Sequence, residues 1–298
     1  MKDYINSAYS KLRFKCLAPI LLEMKQLNYS IIKGEVLSVQ AYGGEGYRHS
    51  SDVDILIPYG LIPDVENILM FYGFKSVCDV KSNRIKKMIS SHQTIPWKKE
   101  DSIFGATLVD INYDVFWGEY EGPRIDMDDF LSDSVEIKLY GLKVKAPSPI
   151  KSLIHLVLHH YKDMNSIFLL ATKNSIKFEM FQDVYYLLKN NLDKISVKDL
   201  YKLSYDYQII PFVFYVLYYT GCLFEDDMMK EYIESFRTPE GERLLNLYGL
   251  CEKERRKWKV DFATRLNTNN IFRLIEADLS PRDLKKIELN KQIFSQNS

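Results

Sequence analysis

The residues with the clearest chemical content lie in YGGEGYRHSSDVDILIP, Tyr42 to Pro58. Asp52 and Asp54 stand one residue apart at the mouth of an apolar run. Side chains alternate faces along a strand, so both carboxylates project from one side while Val53 and Ile55 project from the other. Two ionised carboxylates held that close repel, and taking them out of water is costly unless something positive compensates. A divalent cation such as Mg2+ answers that need: hard oxygen ligands suit it, and it keeps coordination positions open for substrate phosphates. A later run, TLVDINYDVFW, offers a third acid, because Asp110, Asn112 and Asp114 share one face of the strand it predicts. Either Asp110 or Asp114, laid beside the Asp52 strand, completes a cluster of three carboxylates. Such a cluster can hold two metals, one on the phosphates of a nucleotide and one lowering the pKa of an acceptor hydroxyl. The third carboxylate can then serve as general base. The plainer alternative is a pair of solvated acids at a strand edge.

The elements that must position these acids follow from periodicity and turn residues. LAPILLEMKQLNY has apolar residues at helical spacing, with Pro19 suited to a first turn. SIIKG reads as a short strand closed by a turn, and EVLSVQAYG as a helix ending at Gly43 and Gly44. EGYRHSS is a polar loop, DVDILIP a strand ended by Pro58, LIPDVENILMFYGF a helix with a glycine stop, and FKSVCDV a strand. Residues 81–106 alternate basic and apolar patches and suggest no single element. LYGLKVKAPSPI, with its two prolines, reads as a hinge. Beyond Ile150 every segment reads as helix. The expected architecture is therefore α/β (α+β), a mixed-sheet domain over residues 1–145 followed by an all-helical domain over 146–298 that closes a cleft over it.

Bulk properties narrow the function classes. The 40 basic residues balance 40 acidic ones, so no global field favours long nucleic acid or an anionic membrane. Cys16, Cys78, Cys222 and Cys251 show no metal-knuckle spacing. With an N-terminus that lacks an apolar signal segment, they point to free thiols in a cytoplasmic protein. The apolar run Ile209 to Phe224 carries a proline near its start and many tyrosines, and reads as a core helix rather than a membrane span. Gly43 and Gly44 match neither the P-loop nor the dinucleotide pattern and read as a helix stop. KERRKWK, Lys253 to Lys259, reads as a solvated helix face whose field Glu252 and Glu254 blunt. His155 and His159 are spaced to share a helix face, but no third zinc ligand is evident.

The ordered segments IIKGEVLSVQ, RHSSDVDILI, LVDINYDVFW, LIHLVLHHYKD and DVYYLLKN, from Ile31 to about Asn190, resemble a known family. They are similar to the bacterial uncharacterised nucleotidyltransferase family, within the polymerase β-type nucleotidyltransferase superfamily. Lys33–Gly34 stands where the superfamily has a glycine–serine pair, a departure the closer family shares, and Asn112 stands where that family has a histidine. The resemblance implies that Asp52 and Asp54 are metal ligands and Asp110 the third ligand and base. It implies that Gly34 lets the backbone approach a triphosphate at a helix N-terminus, and that Lys33 and Arg48 contact phosphate oxygens. Residue by residue, Lys33 is otherwise a surface lysine, Arg48 otherwise a partner of Asp52 or Asp54, and Asp114 otherwise the third acid. His159 falls on the family's helical histidine and contacts phosphate or acceptor, or else is a hydrogen-bonded interface residue. The implied activity moves a nucleoside monophosphate, with ATP as donor and Mg2+ as cofactor, to a hydroxyl of a small molecule. The alternatives are a protein acceptor, as in an AMP-transferring toxin–antitoxin system, or a nucleotide-binding scaffold without catalysis.

Overall fold

The computed structural model describes residues 2–48, 50–78, 87–88, 91–102, 105–173 and 175–295. Helix α1 (Lys2–Glu23) is followed by β1 (Ser30–Ile32), α2 (Gly34–Tyr42), β2 (Asp52–Leu56), α3 (Ile62–Phe71), β3 (Lys75–Ser76), β4 (Trp97–Asp101) and β5 (Gly105–Asn112). The strands form one sheet in the order β1-β2-β5-β4-β3. β2 and β5 pair in parallel while the other neighbours pair antiparallel, so the sheet is mixed. Helix α4 (Met127–Leu131) and the strands β6 (Val135–Leu139) and β7 (Leu142–Ala146) follow.

The core explains the orientation of the two central strands. Val53, Ile55 and Ile57 of the β2 segment and Val109 and Ile111 of β5 are buried with Phe14, Leu17 and Ile20 of α1, Val36 of α2, and Val65 and Leu69 of α3. Burying each such side chain contributes about 1.5–3 kcal/mol. A one-residue slip would turn that whole set outward. Burial of the apolar face therefore fixes which face carries Asp52, Asp54 and Asp110.

Met1–Gly118 with Arg124–Ser152 form one compact unit, and Glu119–Pro123 with Leu153–Gln296 form the other. After α5 (Pro149–Asn165) the chain is built of α6 (Ile167–Thr172), α7 (Phe178–Lys189), α8 (Val197–Asp206), α9 (Ile210–Gly221), α10 (Asp227–Phe236), α11 (Pro239–Leu245), α12 (Phe262–Asn267) and α13 (Pro281–Ser295). Helix α9 is the apolar run, buried from Phe212 to Leu217 as a core helix. Among the described residues no helix is long and apolar enough to cross a membrane.

Several local expectations are corrected. LYGLKVKAP is a hairpin rather than a hinge: β6 and β7 pair antiparallel, Leu139 opposite Leu142. Its two turn residues, Tyr140 (φ 48°) and Gly141 (φ 87°), both have positive φ, the requirement of a tight hairpin turn that Tyr-Gly does not advertise. Strand β5 ends at Asn112, because Asp114 turns the chain by accepting the Phe116 amide at 2.8 Å. FKSVCDV pairs only at Lys75 and Ser76, with its last two residues outside the described ones, and the unassigned stretch 81–106 holds β4. KERRKWK is not a helix: it contains β9 (Arg256–Lys257), paired with β8 (Leu247–Tyr248). Arg255 and Arg256 there are held by Glu240, Glu252 and Asp283.

Pro19 does not open a helix; it lies inside α1. Buried neighbours Leu17, Ile20 and Leu21 hold the helix through it by tertiary packing. Proline in a helix interior costs about 3 kcal/mol, partly offset by the stiffer unfolded chain. Pro19→Ala is expected to stabilise the protein by about 2 kcal/mol in a urea titration. A lower midpoint would show instead that the core depends on a proline-shaped bend.

Candidate functional site

The acids are gathered by register. β2 and β5 run parallel with Asp54 level with Asp110, and Asp52 level with Leu108. Asp52, Asp54, Asp110 and Asn112 therefore lie on one face, opposite the apolar one. Asp54 is 7% exposed, and Asn112 is fully buried. Asn112 donates from Nδ2 to Asp54 Oδ1 at 3.1 Å and to the Asp110 carbonyl at 3.3 Å. Lys33 brings its Nζ to the same Asp54 oxygen, also at 3.1 Å. Asp114, past the strand end, is bound by Arg124 at 2.7 Å.

Burial pushes the Asp110 carboxyl up to about 7, and the charges of Asp54 and Asp52 push the same way against Lys87 and Lys33. The three acids thus act on one another electrostatically. Lys87 is buried and is lowered to about 8, chiefly by that burial, with Asp110 opposing the shift. Burial also raises Asp114, against the pull of the Phe116 amide and Arg124.

The backbone beside the acids is unusual. Strand β1 pairs Ile32 with Asp54, and the chain then turns at once into α2. Lys33, the N-cap, has φ 57° and ψ −153°, and Gly34 has φ 38°. For a residue other than glycine such a conformation costs on the order of 1–3 kcal/mol. A Cβ on Gly34 would sit 3.1 Å from the Cβ of Ser50, so glycine also serves close approach. Ser50 hydrogen-bonds Asp52 Oδ1, and its own carbonyl accepts from Arg13 of α1. No side chain caps α2, which leaves its first-turn amides beside Asp52 and Asp54 in a narrow cleft that Arg13, Gly34 and Ser50 also line.

The glycine-rich loop is strapped down instead. Gly43 closes α2 with φ 77°. Ser38 Oγ donates to the Gly44 carbonyl at 2.7 Å and accepts the amides of Tyr47 at 2.8 Å and Arg48 at 3.2 Å. Glu35 accepts the Gly46 amide at 3.0 Å. Amides already donated to protein acceptors make a poor phosphate cradle.

His159 belongs to the helical unit and its Nε2 lies 3.4 Å from Asp163. Burial pushes Asp163 up, but Lys173 and Lys162 outweigh it and hold the carboxyl below its usual range. The rings of His155 and His159 stack at 6.2 Å.

Among the described residues no three His, Cys, Asp or Glu side chains converge as a metal cage; on Asp54 the cation present is Lys33. The donors themselves fit a hard divalent ion: the oxygens of Asp52, Asp54 and Asp110, and the amide oxygen of Asn112, which is buried and makes no hydrogen bond. Sequence reasoning missed three residues: Ser50, which bonds Asp52 from within the polar loop, Arg13, which holds the Ser50 carbonyl from α1, and Lys87, whose charge acts on Asp110.

The raised Asp110 carboxyl gives a stability signature. Its stabilising contribution is fully present below the unfolded carboxyl value and is lost as pH rises through about 7. Asp110→Asn is expected to melt higher than wild type at pH ~8, by an order of a few kcal/mol, with the gap closing near pH ~4. A gap independent of pH would refute the coupling.

No curated protein matches the sequence. Among solved structures, an antigenic nucleotidyltransferase-like protein from Paracoccidioides brasiliensis is 14% identical over 63% of this chain and 75% of that one, with a TM-score of 0.34. The solution structure of the antibiotic-resistance factor ANT(2'')-Ia is 11% identical over 69% of this chain and 92% of that one, with a TM-score of 0.38. Residues 20–225, which carry β2, β5 and their acids, match the family model described as uncharacterised nucleotidyltransferase, and the chain belongs to that family of transferases.

Proposed function

We propose that the protein moves a nucleoside monophosphate from a nucleoside triphosphate, ATP on family resemblance, to a hydroxyl of a small molecule, releasing pyrophosphate. The supporting observation is the level pairing of Asp54 with Asp110, with Asp52 on the same face, beside the uncapped start of α2. The acceptor oxygen forms a bond to the α-phosphorus, and the bond to the bridging oxygen of the β-phosphate breaks with its electron pair leaving on pyrophosphate. That step needs alignment and charge neutralisation more than a covalent nucleophile.

The roles are those the family resemblance implies, and the positions of the residues support them. Asp52, Asp54 and Asp110 hold the cation, Mg2+ in this reading. When bound, it neutralises the carboxylates, polarises the phosphate and acidifies the acceptor hydroxyl. Asp110, level with Asp54 on the neighbouring strand, takes the acceptor proton in this reading. Gly34 admits the triphosphate to the first-turn amides of α2. Lys33 and Arg48 bind phosphate oxygens, Arg48 from the loop that Ser38 fastens. A chain with balanced charge suits a small acceptor better than a long nucleic acid.

The test incubates the protein with Mg2+, α-labelled ATP and a cell extract as the source of acceptors. Label in the small-molecule fraction supports the proposal, whereas label on protein moves the acceptor to a macromolecule. Asp110→Asn is expected to lower the rate by about 10²–10⁴-fold. Full pyrophosphate release by an Asp52→Asn, Asp54→Asn double variant would sink the mechanism. Gly34→Ala, which places a Cβ against Ser50 at a positive φ, is expected to abolish the thermal shift given by Mg2+ with a non-hydrolysable ATP analogue. An intact shift would remove Gly34 from the phosphate site.

A further inference from the structure

We propose that Lys33 is an intramolecular stand-in for the cation of the acid cluster. In the unloaded protein its ammonium neutralises Asp54; on loading it leaves that carboxylate and turns to the nucleotide's phosphates. The inference rests on the metal-dependent reading above and specifies how that site fills.

Three observations carry it. The first is the contact: Lys33 Nζ lies 3.1 Å from Asp54 Oδ1, with side-chain exposures of 19% and 8%, so the pair is largely shielded from solvent. The second is the backbone. Lys33 holds φ 57° and ψ −153°, a conformation that glycine adopts far more readily, directly before Gly34 at φ 38°. A lysine in this conformation carries a backbone cost that a glycine would not, and its side chain is what a glycine would lack. The third is the crowding of one oxygen: Asp54 Oδ1 takes both Lys33 and the Asn112 amide, while Asn112 Oδ1 is buried with no hydrogen bond. Asp54 Oδ1 thus already takes two donors, and a cation that coordinates this oxygen must displace one of them. Asn112 is pinned in the sheet, whereas the lysine has a flexible four-carbon stem and three rotatable donors. The lysine is the one that moves.

The consequence is coupling. A cation binding alone competes with the ammonium and loses affinity by that competition. A cation arriving with a nucleotide gives the displaced ammonium a new anionic partner. Cation and nucleotide therefore load cooperatively, and by linkage each improves the other's affinity equally.

The experiment measures Mn2+ binding to the whole protein by electron paramagnetic resonance, with and without a non-hydrolysable nucleotide. Lys33→Met keeps the stem and removes the charge; Lys33→Gly removes the charge and also relieves the positive φ, which guards against misfolding as the cause. Both variants are expected to bind Mn2+ alone about tenfold more tightly than wild type, and to lose most of the enhancement that nucleotide gives. Lys33 as a phosphate ligand only would leave Mn2+ binding alone unchanged, and a structural role would weaken it; either result overturns the proposal. If wild type binds Mn2+ but neither variant binds it more tightly, the stand-in fails and the metal-dependent reading survives. If no form binds Mn2+, both fall together.

Discussion

Two carboxylates level with one another on adjacent strands, one buried and one largely so, are the constraint around which this sheet is organised. Asp54 and Asp110 are placed by a register that the apolar face enforces, because Val53, Ile55, Val109 and Ile111 can only be buried together with the acids on the other side. Core packing, worth far more than any single charge interaction, thus imposes an electrostatic penalty on the opposite face. The response is visible around it: Lys33 and Asn112 on Asp54, Ser50 on Asp52, and Lys87 and Lys33 opposing the upward shift of Asp110. A site that concentrates negative charge in a shielded position is primed to gain from a multivalent cation.

The same arrangement separates the two glycine-rich stretches. Gly34 sits at a helix start with no cap and close against Ser50. Gly43 and Gly44 sit at the helix end, where Ser38 and Glu35 consume the loop's amides. Ser38 and Glu35 lie one turn apart on α2, so a single short helix presents its free end to the acids and straps the following loop with its side chains. That economy of parts ties the geometry of the phosphate candidate Gly34 to that of the acids.

What could be read from the chain alone divides along the range of the interactions. The period-two pattern of DVDILI and LVDIN gave the face of each acid, since alternation is a local property. The parallel pairing that sets Asp54 against Asp110 is non-local, and the resemblance supplied the choice between Asp110 and Asp114. The structure shows the physical difference: Asp114 is past the end of β5, turning the chain and paired with Arg124. Arg13 and Lys87 were invisible because nothing in their neighbouring residues marks them; they matter through tertiary contact alone. The β6–β7 hairpin was hidden for a local reason, since Tyr140 takes a positive φ that Asn or Gly usually occupies. Pro19 was misplaced because packing overrode a strong helix-breaking preference.

Lys33 shows two of these demands in conflict. The turn from β1 into α2 asks for a glycine at the N-cap, and the acids ask for a cation at the same place. The chain puts its glycine one residue later, where φ is 38° and a Cβ would sit 3.1 Å from that of Ser50, and accepts a strained lysine before it. A glycine at both positions would relax the backbone. It would also leave Asp54, 8% exposed at its side chain, facing Asp110 with the neutral Asn112 amide and no ammonium on its inner oxygen. Strain in the backbone and neutralisation of the acid are thus linked through one residue, and removing the first by mutation removes the second.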